Sequence, residues 1–413
     1  MRLLIITTTI FLSQLLLAND TIKVVGYLPT YRWELLNELD YSHMTHLCAA
    51  FANPDEDGNM IFDKDLEQFT KVCHKNGTIA LVSICGGGDY SWGEKYKVYE
   101  SLIASPTSRT AFVHKIMGFV RDSGVDGLDN DMEGKALELP NYNVFSQELA
   151  DSLHAQNLIY TAALGVGGQW GARNLSEVTL SKMDFVMTMS YGGVGHWNWE
   201  QKPNEATVEK MRSDLKYFTD RQYAASNVIG GVPFYYTEFP NTAQQNYGVF
   251  NKTNCELYSD INYLAKLKKG EDTLYISNGN VVYINTPKMY EQKLDIAREN
   301  NSGIMIWEVG QDCLDGNFSV MNHMGKYLDA HQVSLDAKLL GRLVRLESSK
   351  KRKLLVYPFK IKSGTYVFNG KTIKLDSFTK AGMAIDVTSF KKGNYKLTLI
   401  TKGNKVIEAD IQL

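Results

Sequence analysis

The chain has 413 residues, 44% of them apolar and 22% charged, with 44 Lys and Arg set against 46 Asp and Glu. Such a balance excludes a disordered polyelectrolyte and a strongly basic nucleic-acid binder, and the length allows one large domain with a small companion. The near-neutral total hides an asymmetry: from Lys350 onward fourteen Lys/Arg face four Asp/Glu, a net of +10, which leaves −12 for the acidic body before it.

Residues 1–18, "MRLLIITTTIFLSQLLLA", carry Arg2, then an apolar stretch, then Ala18 before the polar pair Asn19-Asp20. The pattern predicts a secretory signal peptide and therefore a secreted or cell-surface protein; it is too short for a membrane span, and none is expected elsewhere. From residue 22 to 330, short β-branched runs alternate with helical periodicity. Strands are expected at 22–29, 44–52, 77–85, 125–133, 158–166, 183–193, 227–236 and 302–310. Eight strands of nearly continuous apolar character, separated by amphipathic helices, predict an α/β fold: a closed (β/α)8 TIM barrel over residues 19–330. No G-x-G-x-x-G turn follows the first strand, which argues against a dinucleotide-binding sheet. Between the seventh and eighth strands, Thr237 to Asn301 reads as too short for both an extra α+β insertion and the helix a barrel needs, so a shallow groove is expected. Residues 331–352 read as a linker, and 353–413, with short alternating strands and turns at Asn369-Gly370 and Gly403-Asn404, as a small all-β sandwich serving sorting or substrate binding. The five cysteines, Cys48, Cys73, Cys85, Cys255 and Cys313, are scattered without a C-x-x-C pair, a pattern of buried thiols with at most one disulfide and no metal site.

The chemistry concentrates in "VDGLDNDMEG", residues 125–134, which holds four acidic side chains and no basic one. It stands at the end of the fourth strand, where barrels of this kind place their active sites. Strand alternation sends Asp129, Asp131 and Glu133 to one side, into the barrel mouth. Three carboxyls in a row cannot all ionise comfortably, so the outermost is expected to hold a raised pKa, as a general acid requires. The same cluster could instead make structural hydrogen bonds or bind a cation. All six tryptophans, Trp33, Trp92, Trp170, Trp197, Trp199 and Trp307, fall at or just after strand ends, where flat aromatic surfaces suit a saccharide groove.

These residues carry a resemblance. "DGLDNDME" is similar to the Asp-x-x-Asp-x-Asp-x-Glu signature of glycoside hydrolase family 18, the chitinases and endo-β-N-acetylglucosaminidases, at Asp126, Asp129, Asp131 and Glu133. "VVGYLPTYR" resembles the first strand of that family with Tyr27, "ALVSICGGG" its third strand with Ser83 and Gly86, and "MTMSYGG" its sixth with Met189 and Tyr191. "GVPFYY" and "GIMIWEVGQD", the latter with Trp307, resemble the seventh and eighth. The resemblance implies a retaining hydrolase of β-1,4-linked N-acetylglucosamine in which the substrate's own acetamido oxygen is the nucleophile. It implies Glu133 as acid, Asp131 holding the acetamido N–H, and Asp129 sharing a proton with Asp131. Tyr191 would donate to the acetamido carbonyl and Trp307 would floor the sugar. Tyr27, Trp197, Met189, Ser83 and Gly86 are further candidates for substrate binding, with Ser83 supporting Asp129; Asp126, out of phase, is expected to cap backbone.

The expected ligand is an N-acetylglucosamine-containing polysaccharide or oligosaccharide, acted on by a monomer with no cofactor, metal or nucleic acid. Within the resemblance, an endo-β-N-acetylglucosaminidase on N-glycan cores and a non-catalytic chitin-binding lectin are the alternatives. Retention of Glu133 argues against the lectin. The sequence departs from the pattern at Gly192, where Asp is usual, at Cys85 for a Gly, at Asn130, and at Met132, where an aromatic is frequent. The tail "AIDVTSFKKGNYKLTLITKGNKVIEADIQL" resembles the β-sandwich sorting tails of bacterial proteins exported across an outer membrane, without the Asn-Pro expected after its opening strand.

Overall fold

Eight short strands alternate with helices and close into a ring: β1 (Thr21–Pro29), β2 (His46–Pro54), β3 (Ile79–Cys85), β4 (Gly127–Asp131), β5 (Ile159–Leu164), β6 (Phe185–Thr188), β7 (Val228–Pro233) and β8 (Gly303–Trp307). Each pairs in parallel with the next, and β8 returns to β1 with Ile304 opposite Val24. The structure is a computed structural model and describes residues 20–166, 171–192, 204, 206–240, 250–276, 279–349, 351–375 and 383–413. The expected (β/α)8 barrel is therefore present, each strand overlapping the run that predicts it; β1 starts one residue earlier, and β2 ends two residues later, than expected. The signal-peptide reading of residues 1–18 lies outside the described residues.

Local sequence explains the helices that brace the acidic strand. In α1 (Leu66–Lys75), Asp65 caps the first turn by accepting from the Gln68 N–H, and Leu66, Phe69 and Cys73 turn inward. In α2 (Pro106–Ser123), Ser105 and Ser108 form a capping box, Pro106 occupies the first turn, and Gly124 ends the helix in the left-handed region at φ 69°. Phe112 of α2 stacks on Phe145 of α3 (Tyr142–His154), with ring centroids 5.6 Å apart. Burial of each such side chain stabilises the layer by about 1.5–3 kcal/mol.

Two expectations about connections are overturned. The segment after β7 does hold an α+β insertion. Strands Tyr235–Phe239, Phe250–Thr253, Thr273–Tyr275 and Val281–Tyr283 form an antiparallel sheet with helices Cys255–Tyr258 and Ile261–Lys268, and the barrel helix Pro287–Glu299 still follows. Strands of three to five residues make this economy possible. A disulfide, Cys255–Cys313, ties the insertion to the loop after β8, while Cys48, Cys73 and Cys85 are free and buried.

Residues 331–352 are not a free linker either. Strand β9 (Ser334–Asp336) pairs in parallel with β1 on one side and with Lys405–Gln412 on the other. The C-terminal sandwich packs one sheet of Ile361–Phe368, Lys371–Lys374, Asn394–Thr401 and Lys405–Gln412 against another of Arg345–Ser348, Lys353–Val356 and Ala384–Asp386. Its core residues Leu355, Phe359, Ile385 and Leu399 belong to one cluster with Val25, Leu81, Phe185 and Met305 of the barrel interior. Lys405 is buried beneath β2 and β3, where its Nζ donates to the carbonyls of Tyr41 (2.9 Å), Met44 (3.2 Å) and Asn76 (2.6 Å) and to Thr78 Oγ1 (3.1 Å). The sandwich is thus the floor of the barrel.

Candidate active site

The signature strand is anchored at its lower end and chemical at its upper end. Asp126, fully buried, accepts from the Ala80 N–H (2.7 Å), lies 2.9 Å from His74 Nε2, and pairs with the Arg342 guanidinium from the segment after β9. These partners hold its carboxyl below the usual range despite burial. Capping backbone is only part of its work; it also fastens β4 to α1 and to the floor. Asn130 points into the helix layer, as its parity predicts, and donates to the phenol oxygens of Tyr160 (2.7 Å) and Tyr142 (3.4 Å). Met132 is buried in that same layer.

Asp129, Asp131 and Glu133 face the other way, as alternation requires. Asp129 is fully buried and accepts three hydroxyls: Tyr27 at 2.7 Å, Ser83 at 2.6 Å and Thr161 at 2.7 Å. Burial raises its pKa and these three bonds pull it down. Asp131, next toward the mouth, has its Oδ1 buried without a hydrogen-bond partner among the described residues. Burial, then the negative charges of Glu133 and Asp129, push its carboxyl well above the usual range. Glu133, partly exposed at the mouth, is raised to about 7 by burial, against a hydrogen bond from Trp92 that lowers it. The gradient from a hydrogen-bonded inner carboxyl to a proton-holding outer one is what acid catalysis near neutral pH requires.

Around this row stand the other candidates. Trp307 ends β8, partly exposed, with its ring 5.5 Å from that of Tyr27 and stacked 5.8 Å from Phe51. Tyr191 lies just past β6, its OH 3.3 Å from Met305 Sδ and its ring edge-on to Tyr235 at 6.1 Å. Burial and the nearby carboxyls keep the Tyr191 phenol protonated, hence a hydrogen-bond donor. Met189 is half-buried against the interior cluster. Gly86 accepts from Ser91 Oγ and leaves no room for a side chain, because a Cβ there would stand 2.6 Å from the Phe51 ring. Gly192 has φ 69°, and a Cβ built on it would lie 3.8 Å from the Tyr235 hydroxyl.

Several sequence readings need correction. Tyr27, offered for substrate binding, is completely buried beneath Asp129 and donates to its carboxyl, as does Ser83 in the supporting role expected of it. No hydrogen bond joins Asp129 to Asp131 among the described residues; the hydroxyls of Tyr27 and Ser83 meet one Asp129 oxygen and that of Thr161 the other. Trp33 faces outward from the groove, edge-on to Phe62 and stacked on Phe69 of α1. Trp197, Trp170 and Trp199 lie outside the described residues. Sequence reasoning missed three participants. Thr161 has the inward parity of β5 and could have been found by counting; Phe51 and Ser91 carried no signal. Among the described residues no group of three or more His, Cys, Asp or Glu is placed to hold a metal ion, and no helix is long and apolar enough to cross a membrane.

Comparison with known proteins agrees with this geometry. The chain is 23% identical over 350 residues to a probable chitinase 2 of Drosophila melanogaster, covering 70% of this chain and 71% of that protein. It is 22% identical to a putative chitinase 1 of Margaritifera margaritifera, covering 71% and 73%. Among solved structures it resembles the chitinase ChiB from the chitin utilization locus of Flavobacterium johnsoniae, with a TM-score of 0.66 and 28% identity, covering 76% of this chain and 96% of that one. The profile of glycosyl hydrolases family 18 matches residues 23–312, from within β1 to the loop after β8, and the chain belongs to that family.

Proposed function

We propose that the protein is a secreted, monomeric, retaining glycosidase that cleaves β-1,4-linked N-acetylglucosamine, in chitin or its oligomers, by substrate-assisted catalysis. The observation that carries this reading is Glu133: a carboxyl at the barrel mouth whose pKa is raised to about 7, next in line to the buried Asp131. The chitinase relatives support the substrate class. The acid, its neighbouring carboxyls, Tyr191 and Trp307 come from one barrel, which supports action as a single chain. The Cys255–Cys313 disulfide supports an oxidising compartment and so export.

In the proposed reaction a sugar lies on Trp307 with its acetamido group over Asp131. Asp131 accepts the acetamido N–H and Tyr191 donates to its carbonyl oxygen, which places that oxygen behind the anomeric carbon. Glu133 transfers its proton to the glycosidic oxygen as the bond to the leaving sugar breaks and the acetamido oxygen closes on the anomeric carbon. The resulting oxazolinium cation is offset by the charge of the Asp129–Asp131 pair. Glu133, now a carboxylate, takes a proton from water as that water opens the ring from the vacated face, which returns the acid and retains the configuration.

The test is release of reducing ends from chito-oligosaccharides. Wild type is expected to be active, and Glu133→Gln to lose at least about a hundredfold in kcat while still binding the oligomer. Two proteins that bind but are equally inactive would make this a lectin. Cleavage of a high-mannose glycopeptide with chito-oligomers untouched would move the assignment to N-glycan cores.

A further inference from the structure

The loop that follows β3 is bonded to the chain on both sides of Glu133. Gly86 donates its N–H to the Asp131 carbonyl (3.0 Å), which continues the β3–β4 ladder past its last pair, Cys85 opposite Asp131. Ser91, completely buried, carries the connection further. Its Oγ donates to the Gly86 carbonyl (2.7 Å) and accepts the Glu133 N–H (3.1 Å), while its own carbonyl accepts the Lys135 N–H (2.9 Å). The backbone N–H of Trp92 closes the loop on the Gly88 carbonyl (2.7 Å). Glu133 itself is extended, at φ −124° and ψ 172°, between the end of β4 and the helical turn Gly134–Leu137, and its side chain makes no capping bond to that turn. The loop also backs the carboxyl: a Cβ built on Gly87 would stand 3.4 Å from Glu133 Oε1.

Resting on the assignment of Glu133 as general acid, we propose that Ser91 is a positioning residue for that acid: its hydroxyl fixes the Glu133 backbone against the glycine loop and so sets where the carboxyl points. The carboxyl hangs at the end of a flexible side chain, so a small turn of the backbone at Glu133 is enlarged at the oxygens that must reach a glycosidic bond. A misplacement of about 1 Å there costs about a hundredfold in rate. Serine suits the task because one oxygen both donates and accepts. Gly86 is held on the donor side and Glu133 on the acceptor side, so the end of β3 and the residue beyond β4 move as one piece. Alanine at this position would leave the Glu133 N–H without its acceptor and free the loop from the strand it backs.

The experiment compares two substrates: a soluble chito-oligomer, whose sugar leaving group needs a proton, and dinitrophenyl β-chitobioside, whose phenolate departs without one. For each, kcat/KM covers the steps up to that departure, and the ratio of the two values does not depend on the fraction of protein correctly folded. Ser91→Ala should lower kcat/KM for the oligomer by about ten- to a hundredfold and leave that for the aryl glycoside within about threefold. Equal losses on both substrates overturn the proposal, because a residue that only supports the fold lowers both alike, and so does no loss on either. Ser91→Thr and Ser91→Val, which differ only in a hydroxyl against a methyl, repeat the comparison should the alanine variant fold poorly. Thr is expected to hold the ratio within about threefold of wild type and Val to lose it; equal ratios in the pair overturn the proposal. Glu133→Gln run in parallel separates the two ideas. If it keeps wild-type turnover of the oligomer, the assignment of the acid fails. If it loses the oligomer while Ser91→Ala behaves as wild type, only the role of Ser91 fails.

Discussion

The phenol of Tyr27 on β1 donates to Oδ2 of Asp129 on β4 across 2.7 Å, with both groups completely buried. Together with Ser83 and Thr161 it makes Asp129 a hydrogen-bonded anchor, while Oδ1 of Asp131, next toward the mouth, has no hydrogen-bond partner among the described residues. Tyr27→Phe should remove one donor from a buried carboxyl. The loss is expected to be about 1–2 kcal/mol in denaturant unfolding.

Glu133 makes a second prediction, about stability. Its folded pKa of about 7 exceeds its ordinary value of 4.5, so between those values the unfolded chain releases the proton first. Below pH 4.5 the site costs nothing, and stability is lost as pH rises through 7. Glu133→Gln has no proton to lose. Its melting temperature should match wild type at pH 4.5 and exceed it by about 2–4 °C at pH 8, read by calorimetry.

The disulfide fixes the insertion to the barrel rim through a 58-residue separation. Replacing Cys255 and Cys313 by Ser should lower stability by about 2–4 kcal/mol, chiefly by freeing the unfolded chain. The same loss should follow treatment of wild type with a thiol reductant, and the double variant should be indifferent to that reagent.

The floor yields a fourth. Lys405 is held by three carbonyls and a hydroxyl and makes no ion pair among the described residues, and burial lowers its pKa from 10.5 to about 7. Between pH 7 and 10.5 the unfolded chain binds the extra proton, so wild-type stability should rise across that window. Lys405→Met should abolish the rise. It should also cost about 1–3 kcal/mol near pH 7, where the carbonyls of Tyr41, Met44 and Asn76 lose their donor. Unfolding of the whole chain should be one transition, because the barrel and sandwich share a core.

Particular residues show how much of this was legible in the sequence. The barrel was, because strands such as Ile79–Cys85 are buried along their whole length and are written in nearly continuous apolar letters, Ser83 being the exception. The carboxyl row was, because alternation is a local property: Asp129, Asp131 and Glu133 inward, Asn130 outward. What failed was non-local. The partners of Asp126 lie 52 and 216 residues away, at His74 and Arg342, and no short-range pattern links them. The stretch 331–352 lacks long apolar runs since β9 has only three residues, and it holds its place by borrowing hydrogen bonds from β1 and Lys405–Gln412. The insertion was missed for the same reason, its strands being shorter than the window in which periodicity can be seen.

The sandwich packed under the barrel also bears on proton traffic. Tyr27, Leu81, Phe185 and Met305 fill the bore with Leu355, Phe359 and Leu399 in the same cluster below them, so among the described residues an apolar plug backs the acidic row. The upper opening is the side on which the row meets water. A polymer lying across it would act as a stopper, so the ionisation of Asp129 and Asp131 would be inherited from the empty protein and preserved until the product departs.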